Sequence, residues 1–316
     1  MALIHILAII APIFILIAVG FAALRLRLIR AGGVRILGAF VINFTLPALI
    51  FQAVATRDFR EILRWDYLAA YGSASLALMI AGIVQAVWLR GKSLPEGAMQ
   101  GLGMSLSNSA FIGYPIAVQL LGPVASLALA LNQLVGNLVI LPLTLIVAES
   151  GGRGSDSRQA IVMKVAERLV RNPILLAIVA AVFVSSLDLT LPQPLDQALD
   201  LMAKGSSATA LFVIGATLAG HTLTGIAADV SLVTFGKLVV HPALVFAISF
   251  MVPNLDPHLR AAAIIMAATP MLSIYPIIGQ AYRLEGVCAA TQTISMVASF
   301  FTITIVLAML GFGFAG

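Results

Sequence analysis

Residues 105–115 read Ser105-Leu106-Ser107-Asn108-Ser109-Ala110-Phe111-Ile112-Gly113-Tyr114-Pro115, inside a long apolar run. Four small polar side chains precede a glycine and a proline. A counterpart lies further on: Ala268-Thr269-Pro270-Met271-Leu272-Ser273-Ile274-Tyr275-Pro276, with two prolines and a serine. Proline removes a backbone donor and clashes with the preceding helical turn. In lipid, a broken helix survives only where protein, water or a ligand satisfies the freed backbone groups. Two such stretches predict two helices that unwind near mid-membrane.

The surrounding chain shows that lipid is the solvent. Of 316 residues, 61% are hydrophobic and only 10% are charged, against about 25% charged in a soluble domain. A bilayer core takes about 20 apolar residues as helix. That ruler predicts ten spans, near 3–24, 34–55, 66–89, 97–121, 123–147, 172–191, 197–220, 229–250, 259–283 and 286–312. The first lacks the basic leader and cleavage site of a signal peptide and is expected to be retained. The net charge of +5 resides in short segments between apolar runs, which argues for membrane orientation and against nucleic acid. The single Cys288 excludes an internal disulfide and a cysteine metal site. No nucleotide loop or His-Glu-x-x-His pair is present. Neither an enzyme, a cofactor nor a metal is expected.

The longest polar stretch, 148–171, divides the chain into repeats 1–147 and 172–316. It is read as a flexible linker with a short amphipathic segment. With the N-terminus outside, twelve Lys and Arg fall in inside loops and four in outside loops, so both termini are expected outside and the linker in the cytoplasm. An offset of 161 residues places Tyr114-Pro115-Ile116 on Tyr275-Pro276-Ile277, Gln119 on Gln280, Pro12 on Pro173 and Phe51 on Phe212. With five spans per repeat, the second copy enters the membrane inverted, an arrangement characteristic of secondary transporters. The expected fold is all-α: two inverted five-helix repeats, intertwined in one unit, whose broken fourth and ninth spans cross.

Such a crossing aims half-helix N-termini at one point, which favours an anion. The second half-helices are expected to start near Pro115 and Pro276. The predicted substrate-binding set is Asn108, Ser109, Gly113, Tyr114, Pro115, Thr269, Pro270, Ser273, Tyr275 and Pro276. Gln119, Gln280, Asn132, Asn137 and Gln292 are candidates for a surrounding or coupling role. Lys237 and His241, one turn apart, share a helix face; the histidine reads equally as a packed structural residue or a proton carrier. Lys204 is expected to reach outward from its span.

The Ser105–Pro115 string resembles the fourth-span motif of the auxin efflux carrier family, with Asn108 and Pro115 on its asparagine and crossing proline. Ala268-Thr269-Pro270 through Pro276 is similar to the ninth-span motif, although the residues between the prolines differ. The family includes bacterial permeases for malonate, malate and related acids. The resemblance implies a bacterial inner-membrane carrier of a mono- or dicarboxylate, with scaffold and transport domains, an elevator motion and a homodimer. A sodium-coupled bile-acid-type symporter shares the crossing architecture, and an anion sensor without transport would use the same bundle. The expected orientation is tested in a Cys288→Ser background carrying Ser155→Cys. An impermeant thiol reagent should leave intact spheroplasts unlabelled and label the protein after lysis; labelling before lysis reverses the topology.

Overall fold

The computed structural model describes residues 2–57, 64–151, 158–220 and 227–312. Residues 152–157 of the expected linker lie outside the described residues. The described elements are helical: α1 (Ala2–Arg25), α2 (Ala31–Phe40), α3 (Leu46–Ala55), α4 (Trp65–Val84), α5 (Leu94–Ser105), α6 (Tyr114–Leu121), α7 (Val124–Leu134) and α8 (Leu141–Ser150). After the central stretch come α9 (Arg158–Val170), α10 (Pro173–Ser186), α11 (Gln193–Gly220), α12 (Ala227–Phe235), α13 (His241–Met251), α14 (Pro257–Ala267), α15 (Tyr275–Gln280) and α16 (Glu285–Met309). Among the described residues, seven helices are long and apolar enough to cross a membrane. There are eight if the bent pair Met163–Val170 and Pro173–Ser186, at 57°, counts as one. The expected linker is thus partly the helix α9, and α8 runs on to Ser150.

Among the described residues, five wide π-helical turns interrupt the helices: Val41–Thr45, Gln85–Leu89, Ser109–Gly113, Val135–Ile140 and Gly236–Val240. Four have one cause. Each is followed by one residue and then a proline: Pro47, Pro115, Pro142 and Pro242. A proline inside a helix has no N–H for the earlier carbonyl, and its ring collides with that carbonyl. Widening the preceding turn relieves the collision. The residue before each proline donates to the carbonyl five back: Leu46 to Val41, Tyr114 to Ser109, Leu141 to Gly136 and His241 to Gly236. Pro115 therefore does not begin the second half of its span, as expected from sequence. That half begins at Ser109, six residues earlier, and Pro115 lies within it. Pro276 does fall at the start of its short helix α15. The 161-residue offset superposes the Tyr-Pro strings and brings the starts of the two breaks within one residue of each other, but helix resumes five residues later after the second break. Pro12 lies well inside α1, while Pro173 opens α10.

Small residues fix the main helix crossing. A Cβ on Gly20 would stand 2.0 Å from the Phe212 carbonyl oxygen, and one on Gly215 would stand 1.8 Å from that of Ile17. The backbones of α1 and α11 thus meet through two glycines, since lipid supplies no hydrophobic force between helices and close packing must do so. Lys204, midway along α11, is exposed and pairs with Asp200 at 2.5 Å. At one end of the bundle Arg90, Lys92 and Gln100 converge on the buried Asp229. Its hydrogen bond to Lys92 raises that lysine above its ordinary value.

Gly215→Ala must push α1 and α11 apart. An overpacked contact costs about 1–3 kcal/mol, so the melting temperature in detergent is expected to fall clearly. Gly205→Ala, on the same helix with nothing within 4 Å of its Cβ, should leave it unchanged or slightly raised.

Candidate functional site

The helix α5 stops at Ser105 because the next residues turn extended: Leu106 has φ −95° and ψ 114°. The helix α14 stops at Ala267, and residues 268–274 run without regular helix. These two unwound stretches lie antiparallel, with a bridge between Ser107 and Met271. The Asn108 N–H donates to the Pro270 carbonyl at 2.8 Å, and the Leu272 N–H donates to the Leu106 carbonyl at 3.2 Å. Each break thereby satisfies the other, where an unpaired group would cost several kcal/mol. Pro270 has no N–H to orphan, so it enters the pairing as an acceptor only.

The half-helix beyond the first break starts at Ser109 and runs through Leu121. Its first-turn N–H groups have no preceding turn to bond, and they face the crossing with the positive end of the helix dipole. The second break is followed only by the six residues of α15. Its contribution is chiefly side chains and extended backbone, which departs from the expected pair of equivalent N-termini.

Ser273 is the centre of the polar set. It receives a hydrogen bond on its hydroxyl from Asn108 Nδ2 at 2.7 Å, and one on its carbonyl from Gln292 Nε2 at 3.0 Å. Accepting from Asn108 leaves the Ser273 O–H proton free to donate elsewhere. Asn108 Oδ1 and Gln292 Oε1 are buried without a partner among the described residues. A cavity of about 550 Å³ reaches this point. Phe111, Ser273, Ile274 and Ile277 line it at the crossing, and Val34, Gly38 and Ile42 with Val213, Ile214 and Thr217 form its walls. Its mouth lies where α1 ends, α2 begins and α11 ends, at Leu24, Ala31 and Gly220. The walls are mostly apolar, and polar groups are few and placed, as in small-molecule sites generally.

Three polar lining residues were not singled out from sequence: Arg35, Asn43 and Thr217. Arg35 is exposed at the mouth, its charge without an ion-pair partner among the described residues. It counted only toward orientation. Asn43 lines the cavity from the Val41–Thr45 turn; a polar residue four before Pro47 was the available signal. Of the predicted binding set, Ser273 alone lines the cavity.

The others support the crossing or stand away from it. Asn108 is fully buried behind Ser273. Ser109 turns its hydroxyl to the Ser107 carbonyl at 3.4 Å, and Thr269 bonds the Met266 carbonyl at 2.8 Å. Gly113 lets Met266 and Thr269 approach within 3.2 and 3.3 Å of where a Cβ would lie. Tyr114 accepts a hydrogen bond from Ser126 at 3.4 Å. Tyr275, buried with Pro276, donates to the Met99 carbonyl at 2.9 Å, away from the cavity. Asn132 accepts from Tyr67 at 2.9 Å and Asn137 accepts from Asn172 at 3.0 Å, so both join helices. Gln119 is exposed and bonds back to the Pro115 carbonyl, and Gln280 is exposed as well. Both glutamines lie outside the crossing because their helical turn carries them to the surface.

Behind the crossing, Lys237 is completely buried on the Gly236–Val240 turn. Its Nζ lies 2.7 Å from Ser107 Oγ, 2.7 Å from the Ala267 carbonyl and 2.8 Å from His241 Nδ1. The Ala267 carbonyl is one of those left open by the end of α14. An apolar cavity that ends on a helix N-terminus, oriented hydroxyls and nearby fixed polar groups suits a small solute with a negative end.

Comparison with known proteins accords with that geometry. Residues 5–307 match the family model described as membrane transport protein. The chain belongs to this family, the auxin efflux carrier family. It is a transport protein and not an enzyme. A relative from Rhizobium meliloti (strain 1021), named "Putative malonate transporter", is 26% identical over 301 residues, covering 95% of this chain and 94% of the relative. The "Uncharacterized transporter YfdV" of Escherichia coli (strain K12) is 25% identical over 273 residues, covering 83% and 84%. The mouse "Lysosomal cholesterol signaling protein" is 26% identical over 218 residues, 66% of this chain and 25% of that protein.

Proposed function

We propose that this protein carries a small organic anion, a mono- or dicarboxylate, across the bacterial inner membrane by alternating access. The observation that carries this reading is the cavity that ends at Ser273 and at the start of the Ser109–Leu121 half-helix. A carboxylate there accepts from the Ser273 hydroxyl and from first-turn N–H groups, an arrangement that favours negative charge. Arg35 at the mouth draws anions in. The apolar walls take the rest of the molecule.

The finer architecture belongs to the same proposal. α1 packs on α11, and α10 packs on α3. In a ten-span count these are the first helix on the seventh and the sixth on the second, pairs that exchange under a five-helix inverted repeat. That pattern supports two inverted repeats, with α5 to α6 as the fourth span and α14 to α15 as the ninth. The broken spans move together against α1, α3, α10 and α11 in an elevator motion, and two copies pair through that scaffold. With both termini in the periplasm, the cavity mouth opens to the cytoplasm.

The test is uptake into proteoliposomes and equilibrium binding of radiolabelled malonate, succinate and butyrate, malonate being suggested by the Rhizobium relative's name. A hydrogen bond to a charged group contributes about 1.5–3 kcal/mol, so Ser273→Ala should weaken binding about ten- to a hundredfold. Asn108→Ala, which frees the Ser273 hydroxyl to turn away, should follow it more mildly. The exposed Gln119→Ala should bind as the parent does. Parental affinity in a monodisperse Ser273→Ala, Asn108→Ala double variant would remove the crossing as the anion site.

A further inference from the structure

The group Lys237, His241, Ser107, Ser75 and Tyr71 is not used by the binding site just described. Lys237 and His241 are both fully buried. The lysine has three polar neighbours: a hydroxyl, a backbone carbonyl and an imidazole nitrogen. No carboxylate pairs with it among the described residues. His241 Nε2 lies 2.9 Å from Ser75 Oγ, and Tyr71 donates to Ser107 at 3.1 Å.

The titratable groups on the surrounding helices are accounted for. Tyr71 on α4 stands edge-on to the His241 ring at 5.6 Å and stacks on Tyr67, and Asp66, in the first turn of α4, is paired with Arg64. On α5, Glu96 is held by Ser93 and Lys92. On α12, Asp229 is held by Arg90, Lys92 and Gln100. On α16, Glu285 is exposed and the Cys288 thiol packs against Gly279. On α14, His258 and Arg260 lie in the first turn, about two turns or more from Ala267. None supplies a buried negative charge to Lys237.

We propose that Lys237 and His241 form a proton-binding site that loads one proton as the anion binds at the crossing, so that the carrier moves proton and anion together. The inference rests on the organic-anion reading of the crossing. Its basis is that the same contacts satisfy both protonation states. With a neutral amine, Lys237 donates to the Ala267 carbonyl and Ser107, and accepts from His241 Nδ1–H; His241 Nε2 then accepts from Ser75. With an ammonium, Lys237 donates to all three neighbours, and His241 Nε2–H donates to Ser75. The change is balanced: one proton enters at His241 Nε2, the Nδ1 proton passes to Lys237 Nζ, and the ring ends neutral in its other tautomer. Only the Ser75 hydroxyl changes role, from donor to acceptor, while Ser107 accepts from Lys237 in both states, so each of these contacts is kept.

Charge supplies the coupling. A buried ammonium without an anion is expensive in the membrane, as is a buried carboxylate without a cation. The crossing places the two close together: Ser107 bonds Lys237 and pairs with Met271, and Asn108, the next residue, holds Ser273. Each ion lowers the cost of the other, and the linkage is reciprocal. Protonation tightens anion binding, and anion binding draws in the proton.

The test uses the purified full-length protein and whichever of malonate, succinate and butyrate it binds, above the probes' own titration range. Calorimetry at one pH in two buffers of different ionisation enthalpy counts protons taken up per anion. The expected result is about one proton, with affinity increasing as pH falls. Lys237→Met, similar in volume and neutral, gives up the bonds to Ser107 and the Ala267 carbonyl and should fold with a melting temperature somewhat below the parent's. It should take up no proton, show an affinity independent of pH, and bind at least about tenfold more weakly, about 1.4 kcal/mol. Anion binding to the parent with no proton uptake overturns this inference and leaves the organic-anion reading standing; it decides the matter even if Lys237→Met fails to fold. Proton uptake that persists in a folded Lys237→Met also overturns it. Failure of all three anions to bind the parent overturns both together.

Discussion

Two interrupted helices in a lipid environment must find partners for the backbone groups that interruption frees, and here they find each other. The pairing of 106–108 with 270–272 is a fragment of antiparallel sheet within an otherwise helical bundle. In water such a fragment would be marginal, because solvent competes for every bond. In a bilayer no competitor exists, and the pairing is the condition for having breaks at all. What surrounds the candidate site follows from it. The crossing starts one half-helix at Ser109 and leaves the last carbonyls of α14 open for Lys237. It also holds Asn108 against Ser273.

The prolines show the same economy at smaller scale. Four wide turns each precede a proline, and each absorbs a missing donor by shifting the bonding pattern by one residue. Three of these turns carry residues that matter at or behind the site: Asn43 and Phe111 line the cavity, and Lys237 lies behind it. A widened turn rotates the side chains after it relative to a regular helix. The prolines therefore shift helical phase as well as relieve clashes.

The two halves of the chain are similar without being equivalent at the site. The first break leads into thirteen residues of helix and presents a strong N-terminal end; the second leads into six and presents a serine, an extended segment and an exposed apolar Ile277. A transporter gains from such asymmetry. The proposed anion, held by one helix N-terminus and one oriented hydroxyl, would have a defined orientation, whereas two identical ends would hold it in either sense. The apolar walls, drawn from α2 and α11, belong to helices that do not take part in the crossing. In the proposed elevator motion, a site shared between interrupted and continuous helices would open and close as one set shifts against the other.

The amino-acid sequence by itself determined the solvent, the helical class and the family. Those depend on composition and on short local strings: too few charged residues to cover a core in water, and a polar string ending in Gly113-Tyr114-Pro115 that no uninterrupted lipid-facing helix would carry. It also singled out Asn108 and Ser273 as binding candidates and Gln292, Lys237 and His241 as candidates around them, and the structure gathers these five around the crossing. Only the tertiary structure decided which of them reach the cavity. Sequence placed the half-helix start at Pro115, because proline is the visible breaker; the chain opens earlier because the turn before the proline widens instead. Gln119 and Gln280 matched in the repeat but project to the surface, Arg35 lines the cavity without any local sign, and Asn43 had only its place four residues before Pro47 to mark it. Helical phase after a widened turn, and the distance between segments more than a hundred residues apart, are set by packing and by the mutual hydrogen bonds of the breaks, and neither is encoded in the spacing of residues along one span.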